Sequence, residues 1–130
     1  MLYVVQKNKY RNRKVRLDGI IFASHHEAAV YLDIKGQKRK GLIKDFKLQV
    51  PFELIPKQTE IVTITTKNKK QKQVERVVER SVKYIADFVV YYHDGTQKVI
   101  DAKGDRNLDP KYGIKRKLMR WRHNIIIYEV

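Results

Sequence analysis

The chain contains no cysteine, which excludes disulfide staples and thiolate metal centres and suits a reducing cytoplasm. It has three prolines and six glycines in 130 residues. No run rich in Pro, Gly or Ser divides it, so a single domain over residues 1–130 is expected. No apolar stretch approaches the roughly 20 residues that span a bilayer. No basic amphipathic helix with a free apolar face is predicted either, so a membrane is not an expected partner. Residues 1–10 lack the basic start, apolar run and small-residue cleavage site of a secretory signal, and the protein is expected to stay in the cytoplasm. Acidic residues are also scarce. Fourteen Asp and Glu face 29 Lys and Arg, a net charge of +15. Such an excess opposes a compact fold unless a polyanion binds it.

Hydrophobic residues make up 42% of the chain, enough for one core. A basic arm is expected over about residues 1–16, followed by an Asp18-Gly19 turn and a short strand over 19–23. Ser24 with Glu27 three residues later forms a capping box. Ala28, Tyr31 and Leu32 then share a helical face, so a helix is predicted from Ser24 to about Ile34, before a basic loop or frayed helix end from Lys35 to Gly41. Phe46, Leu48 and Val50 alternate with polar residues, predicting a strand over 42–50, with Pro51 at an edge or bend. A basic hairpin inserted over about 57–80 has its tip at 67–72. Strands are predicted over 84–92 and 98–102, joined by the His93-Asp94-Gly95-Thr96 turn and ended by Gly104. Asp109-Pro110 opens a second helix, with Ile114, Leu118 and Trp121 as its core stripe. A last strand is predicted over 125–130. The expected fold class is α/β, a mixed central sheet flanked by helices.

Two aspartates stand out. Asp87 and Asp101 lie on consecutive antiparallel strands, each among apolar neighbours. A carboxylate there is costly to bury unless it is paired or binds a metal. Two converging carboxylates repel each other, and a divalent cation such as Mg²⁺ or Mn²⁺ resolves that while keeping water ligands. Lys103, two residues from Asp101, points to the same strand face. Its ammonium can orient water or stabilise charge developing on phosphate oxygens.

With these residues in place, the chain resembles the PD-(D/E)XK nuclease superfamily, whose core runs α-β-β-β-α-β. The strings Lys14 to Ile20, Lys83 to Phe88 and Asp101 to Gly104 are similar to those of small phage-encoded members. Ala86 stands where the signature has proline. The resemblance implies a restriction-endonuclease-like fold and a Mg²⁺- or Mn²⁺-dependent DNA endonuclease, with selectivity for flapped, branched or four-way DNA. It makes Asp87 and Asp101 the strand ligands, Glu27 a helix ligand and Lys103 the catalytic lysine. The Ala102 backbone carbonyl joins as a further ligand. Glu27 also fits a plain capping role. Gln49 is a candidate beside the site, its alternative an exposed strand residue.

No histidine spacing suits zinc, and His25, His26, His93 and His123 read as surface residues. Tyr84, Tyr91, Tyr92 and Trp121 are candidates to stack on bases, but Trp121 falls on the helical stripe and is expected in the core. The second helix carries Lys111, Lys115, Arg116, Lys117, Arg120 and Arg122 with no acid between 111 and 123. With Lys38, Arg39, Lys40, Lys69, Lys70, Arg11 and Arg13, these form the expected DNA-phosphate contacts. Cutting both strands would require a homodimer. The competing reading is a non-catalytic basic module for DNA or RNA.

Overall fold

A computed structural model describes residues 5–7, 13–103 and 109–130. Three short antiparallel strands come first, β1 (Val5–Lys7), β2 (Arg13–Leu17) and β3 (Ile20–Phe22). Asp18 and Gly19 join β2 to β3 with positive φ at both residues, 52° and 76°, the backbone a type I′ hairpin turn needs. The expected basic arm is therefore corrected. Arg13 to Leu17 is a strand, and its alternation buries Val15 and Leu17.

Helix α1 (His25–Arg39) starts where Ser24 accepts a hydrogen bond from the Glu27 amide at 3.1 Å. It runs past Ile34 and through Gly36. A glycine inside a helix costs about 1 kcal/mol, which does not stop this one. Termination comes at Gly41, which takes φ 76° while Leu42 N–H bonds back to the Gln37 carbonyl, the left-handed stop typical of helix ends. Of the two expectations for Lys35 to Gly41, the helix end holds, with α1 continuing to Arg39.

The main sheet has four strands in the order β4 (Asp45–Ile55), β7 (Val82–Tyr91), β8 (Gln97–Asp101), β9 (Tyr128–Glu129). The first two pairings are antiparallel and β8–β9 is parallel. Strand β4 runs straight through Pro51, tolerated because β4 is an edge strand whose outer side needs no ladder donor. Between β4 and β7 stands the hairpin β5 (Gln58–Thr65) and β6 (Gln71–Glu79). Helix α2 (Pro110–His123) carries Asp109 as N-cap and Asn124, φ 54°, as C-cap. The last strand is shorter than its apolar run, because Asn124 caps α2 and Ile127 drops into the core. The chain is α/β, a mixed sheet with two helices.

Two cores flank the sheet. Ala28, Tyr31 and Ile34 of α1 pack with Val15, Leu17, Phe22, Phe88, Val90 and Ile100. Tyr112 and Met119 of α2 pack with Leu54, Tyr84, Ala86, Val89, Val99 and Ile127. Strands β4 and β7 serve both. Phe46 and Leu48 join the first core, but Val50 and Phe52 join the second. On β7, Phe88 and Val90 join the first, while Tyr84 and Ala86 join the second. In a regular strand these equal-parity residues would share one face. The change falls at Gln49 and Asp87, and Gln49 has φ 52°, a left-handed backbone that costs a non-glycine residue about 1–3 kcal/mol.

The expectation for Trp121 is corrected. It is 81% exposed and Ile114 is 61% exposed, with Leu118 only half-buried. At about 100° per residue, Ile114 and Trp121 lie about 200° from Tyr112 and Met119, the two residues that meet the sheet. Trp121 is the sole tryptophan, so its fluorescence should be that of a water-exposed indole and barely shift on unfolding. Trp121→Ala should cost less than about 0.5 kcal/mol. Phe88→Ala, at a fully buried site, should cost about 3–5 kcal/mol in denaturant titrations.

Candidate functional site

The site lies where β7 changes cores. Phe88 pairs with Ile100 in the β7–β8 ladder, so extending the register by one residue sets Asp87 opposite Asp101. Leu48 pairs with Phe88 and Val50 with Ala86, which sets Gln49 opposite Asp87 on the other side. Asp101 pairs in turn with Glu129 of β9. Gln49, Asp87, Asp101 and Glu129 therefore form one row across all four strands.

The two central carboxyls face each other across this row, close enough for Asp101 to act on Asp87 through hydrogen bonding and charge. Asp101 is 5% exposed. Its Oδ2 accepts from the Tyr84 hydroxyl at 3.1 Å and lies 3.0 Å from Lys103 Nζ. Asp87 Oδ2 accepts from the Ala102 amide at 3.0 Å, and Gln49 Nε2 stands 3.5 Å from Asp87 Oδ1. Burial first, then the hydrogen bond and the charge of Asp101, push the Asp87 carboxyl up to about 8. Asp101 has an ammonium and a hydroxyl as partners, whereas Asp87 has no cation beside it among the described residues, so the protonated form of Asp87 is favoured.

Lys103 Nζ also lies 3.5 Å from the centroid of the Tyr112 ring. The Tyr112 hydroxyl donates to Glu129 at 2.8 Å, and Arg116 approaches Glu129 at 3.6 Å. The lysine is thereby held between a carboxylate and an aromatic face. Burial raises the hydroxyls of Tyr84 and Tyr112 far above their ordinary value, so both remain donors.

Glu27 is buried on α1. Burial raises its carboxyl above the ordinary value, a hydrogen bond from the Ala23 amide opposes that, and the charge of Asp101 adds to it. Glu27 thus closes a capping arrangement with Ser24 and Ala23 and still feels the aspartate pair. Among the described residues no three His, Cys, Asp or Glu side chains form a ready metal-holding group. The donors brought together are the carboxyls of Asp87 and Asp101, with the Ala102 carbonyl next in the chain. Hard oxygen donors in a pair that cannot ionise fully without a counter-charge fit Mg²⁺ or Mn²⁺, ions that keep several waters.

The structure thus brings together Asp87, Asp101, Lys103 and Gln49, with Glu27 adjoining. Reasoning from the chain alone missed Tyr112 and Glu129, and assigned Tyr84 to base stacking, although it is buried against Asp101. The spacing of Tyr84 three residues before Asp87 carries no signal, because the core change at Asp87 is invisible in the string. The basic residues are dispersed. Lys111, Lys117 and Arg120 are exposed on α2 and Lys115 is half-buried. Arg122 instead binds the Leu54 carbonyl at 2.9 Å and Glu53 at 3.1 Å, tying α2 to β4. Lys38 pairs with Asp45 at 3.0 Å. Arg39 and Lys40 are exposed at the end of α1, Lys69 and Lys70 at the hairpin tip, and Arg13 at the start of β2. Arg11 and Gly104 lie outside the described residues. His26 and His123 bond the carbonyls of Val130 and Glu53 at 2.7 and 2.6 Å.

Asp87 sets a pH dependence of stability. Its carboxyl is raised on folding, so the protonated form is favoured in the native state. The associated stability is complete below about pH 4 and is lost as pH rises toward about 8. Glu27 has the same sign, while Asp18, Asp45 and Asp94 are lowered and already ionised above pH 5. Melting without divalent metal should therefore occur at lower temperature at pH 8 than at pH 5.5. Asp87→Asn should flatten that slope. An unchanged slope in the variant would show that Asp87 is not the titrating group.

No helix among the described residues is long and apolar enough to cross a membrane. Neither a curated protein nor a solved structure matches the chain. One family does match, over residues 7–128, and that span contains every residue of the carboxylate row except Glu129. The chain belongs to the family described as protein of unknown function, DUF1064.

Proposed function

We propose that this protein is a Mg²⁺- or Mn²⁺-dependent DNA endonuclease with a restriction-endonuclease-like core. The single observation that carries this reading is the juxtaposition of half-buried Asp87 and buried Asp101 on adjacent strands, with the Lys103 ammonium 3.0 Å from Asp101. The order of core elements supports it. Apart from the hairpin and the first three strands, the chain runs α1, β4, β7, β8, α2, β9, the α-β-β-β-α-β succession expected from the resemblance.

A divalent cation bound by Asp87, Asp101 and the Ala102 carbonyl supplies charge neutralisation and a more acidic water. The other roles belong to the chain. The Tyr84 hydroxyl fixes one oxygen of Asp101 and the Ala102 amide one oxygen of Asp87. Lys103, pinned by Asp101 and the Tyr112 ring, donates to the attacking water or to a non-bridging phosphate oxygen, where charge develops in the transition state. Glu27 enters through its charge on the pair and its hold on the start of α1. The exposed cations of α2 lie along the phosphate backbone without reading bases. One site cuts one strand, so cleavage of a branched or four-way substrate on both strands uses a homodimer.

The test incubates the protein with Mg²⁺ or Mn²⁺ and linear, flapped and four-way DNA. Wild type should cut at least one of these, with the branched substrates favoured. Asp101→Asn and Lys103→Ala should each lower the rate at least about a hundredfold, while DNA binding measured without metal persists. Absence of cutting in every metal, or equal cutting by the variants, sinks the reading and leaves a binding module.

A further inference from the structure

The β5–β6 hairpin stands apart from everything above. Among the described residues it packs against no other element. A two-stranded ribbon is at best marginally stable in water, so a freestanding one invites the question of what it is built to meet. At about 3.3 Å per residue, the eight residues of β5 project roughly 26 Å.

Its two faces differ. Val62 pairs with Val74 and Ile64 with Lys72; on that face Val62 and Val74 are half-buried against each other. On the opposite face Thr63 pairs with Gln73 and Thr65 with Gln71. All four are exposed, and all are uncharged groups that both donate and accept hydrogen bonds. Ile61 continues this face toward the base of the ribbon, 73% exposed. The turn beyond contains Lys67, Lys69 and Lys70, all exposed, with Lys69 at φ 57°. No acidic residue lies between Thr63 and Val74. Nearer the base, Glu75 stands opposite Ile61 on this same face, and Arg76 pairs with Glu60 across the strands.

We infer that the β5–β6 ribbon is a reading arm for the major groove of B-form DNA, with Thr63, Thr65, Gln71 and Gln73 toward the base edges and Lys67, Lys69 and Lys70 on the flanking phosphates. The major groove admits a two-stranded β-ribbon. Gln and Thr hydrogen-bond base edges there, and apolar groups meet the thymine methyl. The charge at the tip matches a polyanion and no feature of that half matches a cationic partner. Duplex RNA does not fit, because its major groove is deep and narrow. This inference rests on the DNA half of the reading above and not on the chemistry at Asp87 and Asp101. It adds base reading to a proposal in which the exposed cations of α2 contact only phosphates. The ribbon ends at Glu79, three residues before β7 begins at Val82, and Asp87 lies five residues further along β7, about 17 Å.

The test measures binding of the full chain to a 30-base-pair DNA duplex in EDTA, where cutting does not contribute. The triple variant Lys67→Ala, Lys69→Ala, Lys70→Ala should bind at least tenfold more weakly. Its dependence of log affinity on log salt should be shallower by about 2–3. The face variant Thr63→Ala, Thr65→Ala, Gln71→Ala, Gln73→Ala should keep the salt slope. Methylation of guanine N7, on the major-groove edge, should block wild type but no longer the face variant. Unchanged far-ultraviolet dichroism in both variants establishes that the fold is intact. Equal binding by wild type and both variants overturns the inference. So does preference for duplex RNA, or a concentration-dependent dimer in sedimentation that the face variant abolishes. If these binding results hold and no DNA is cut, the arm stands and the nuclease reading falls. If cutting occurs and the variants bind normally, the reverse is true.

Discussion

Two carboxyls facing each other inside a protein are a standing electrostatic cost, and the architecture around Asp87 and Asp101 is arranged to hold that cost. Each carboxylate in such a setting must be neutralised, hydrogen-bonded or given a counter-charge. Here the pair has all three. Burial and the charge of Asp101 favour the protonated form of Asp87, the Tyr84 hydroxyl and Ala102 amide donate to the pair, and the Lys103 ammonium faces Asp101. Satisfaction of these groups then fixes their neighbours. Tyr84 must be buried with its hydroxyl inward, Tyr112 must offer its ring to the lysine, and Glu129 must take the Tyr112 hydroxyl.

The backbone contributes as much as the side chains. The change of core at Gln49 and Asp87 places a polar row between two apolar clusters, where a regular strand would have pointed every second residue to one face. Gln49 carries the strained φ that this needs. Strain of this kind persists only where packing on both sides over-determines it. Helix α1 covers one core and α2 the other, so each helix holds one half of the bend. The same division explains why α2 turns Tyr112 and Met119 inward and leaves Trp121 in solvent.

Charge in this molecule falls into two kinds. Some cations hold the fold together, as Arg122 does for α2 and β4, and as Lys35 does for the Asp18 turn at 2.5 Å. Others stand exposed on α2, at the end of α1 and at the ribbon tip. Both kinds look alike in a string of lysines and arginines. Only the second kind can lower its free energy by meeting a polyanion.

Much of the molecule is determined locally and was legible as such. Capping residues at Ser24 and Asp109, the Asp18-Gly19 and Asp94-Gly95 turns, and the alternation in β4, β7 and β8 each specify structure through contacts a few residues apart. The Asp87–Asp101 pair follows from one hairpin, so it was legible too. The extension of α1 through Gly36 was not, because a single glycine weakens a helix without deciding its end. The orientation of α2 was not, because an amphipathic pattern of 14 residues offers two apolar faces and the sheet chooses between them. Glu129 joined the site through the parallel β8–β9 pairing and Tyr112 through the packing of α2 on the sheet, contacts between segments far apart in the chain. Periodicity and caps act over one turn or one strand pair, and they determined the elements and the two aspartates. Which faces meet, where the strands bend and which charges are spent inside the fold depend on surfaces built by distant segments. Those only the tertiary structure decided.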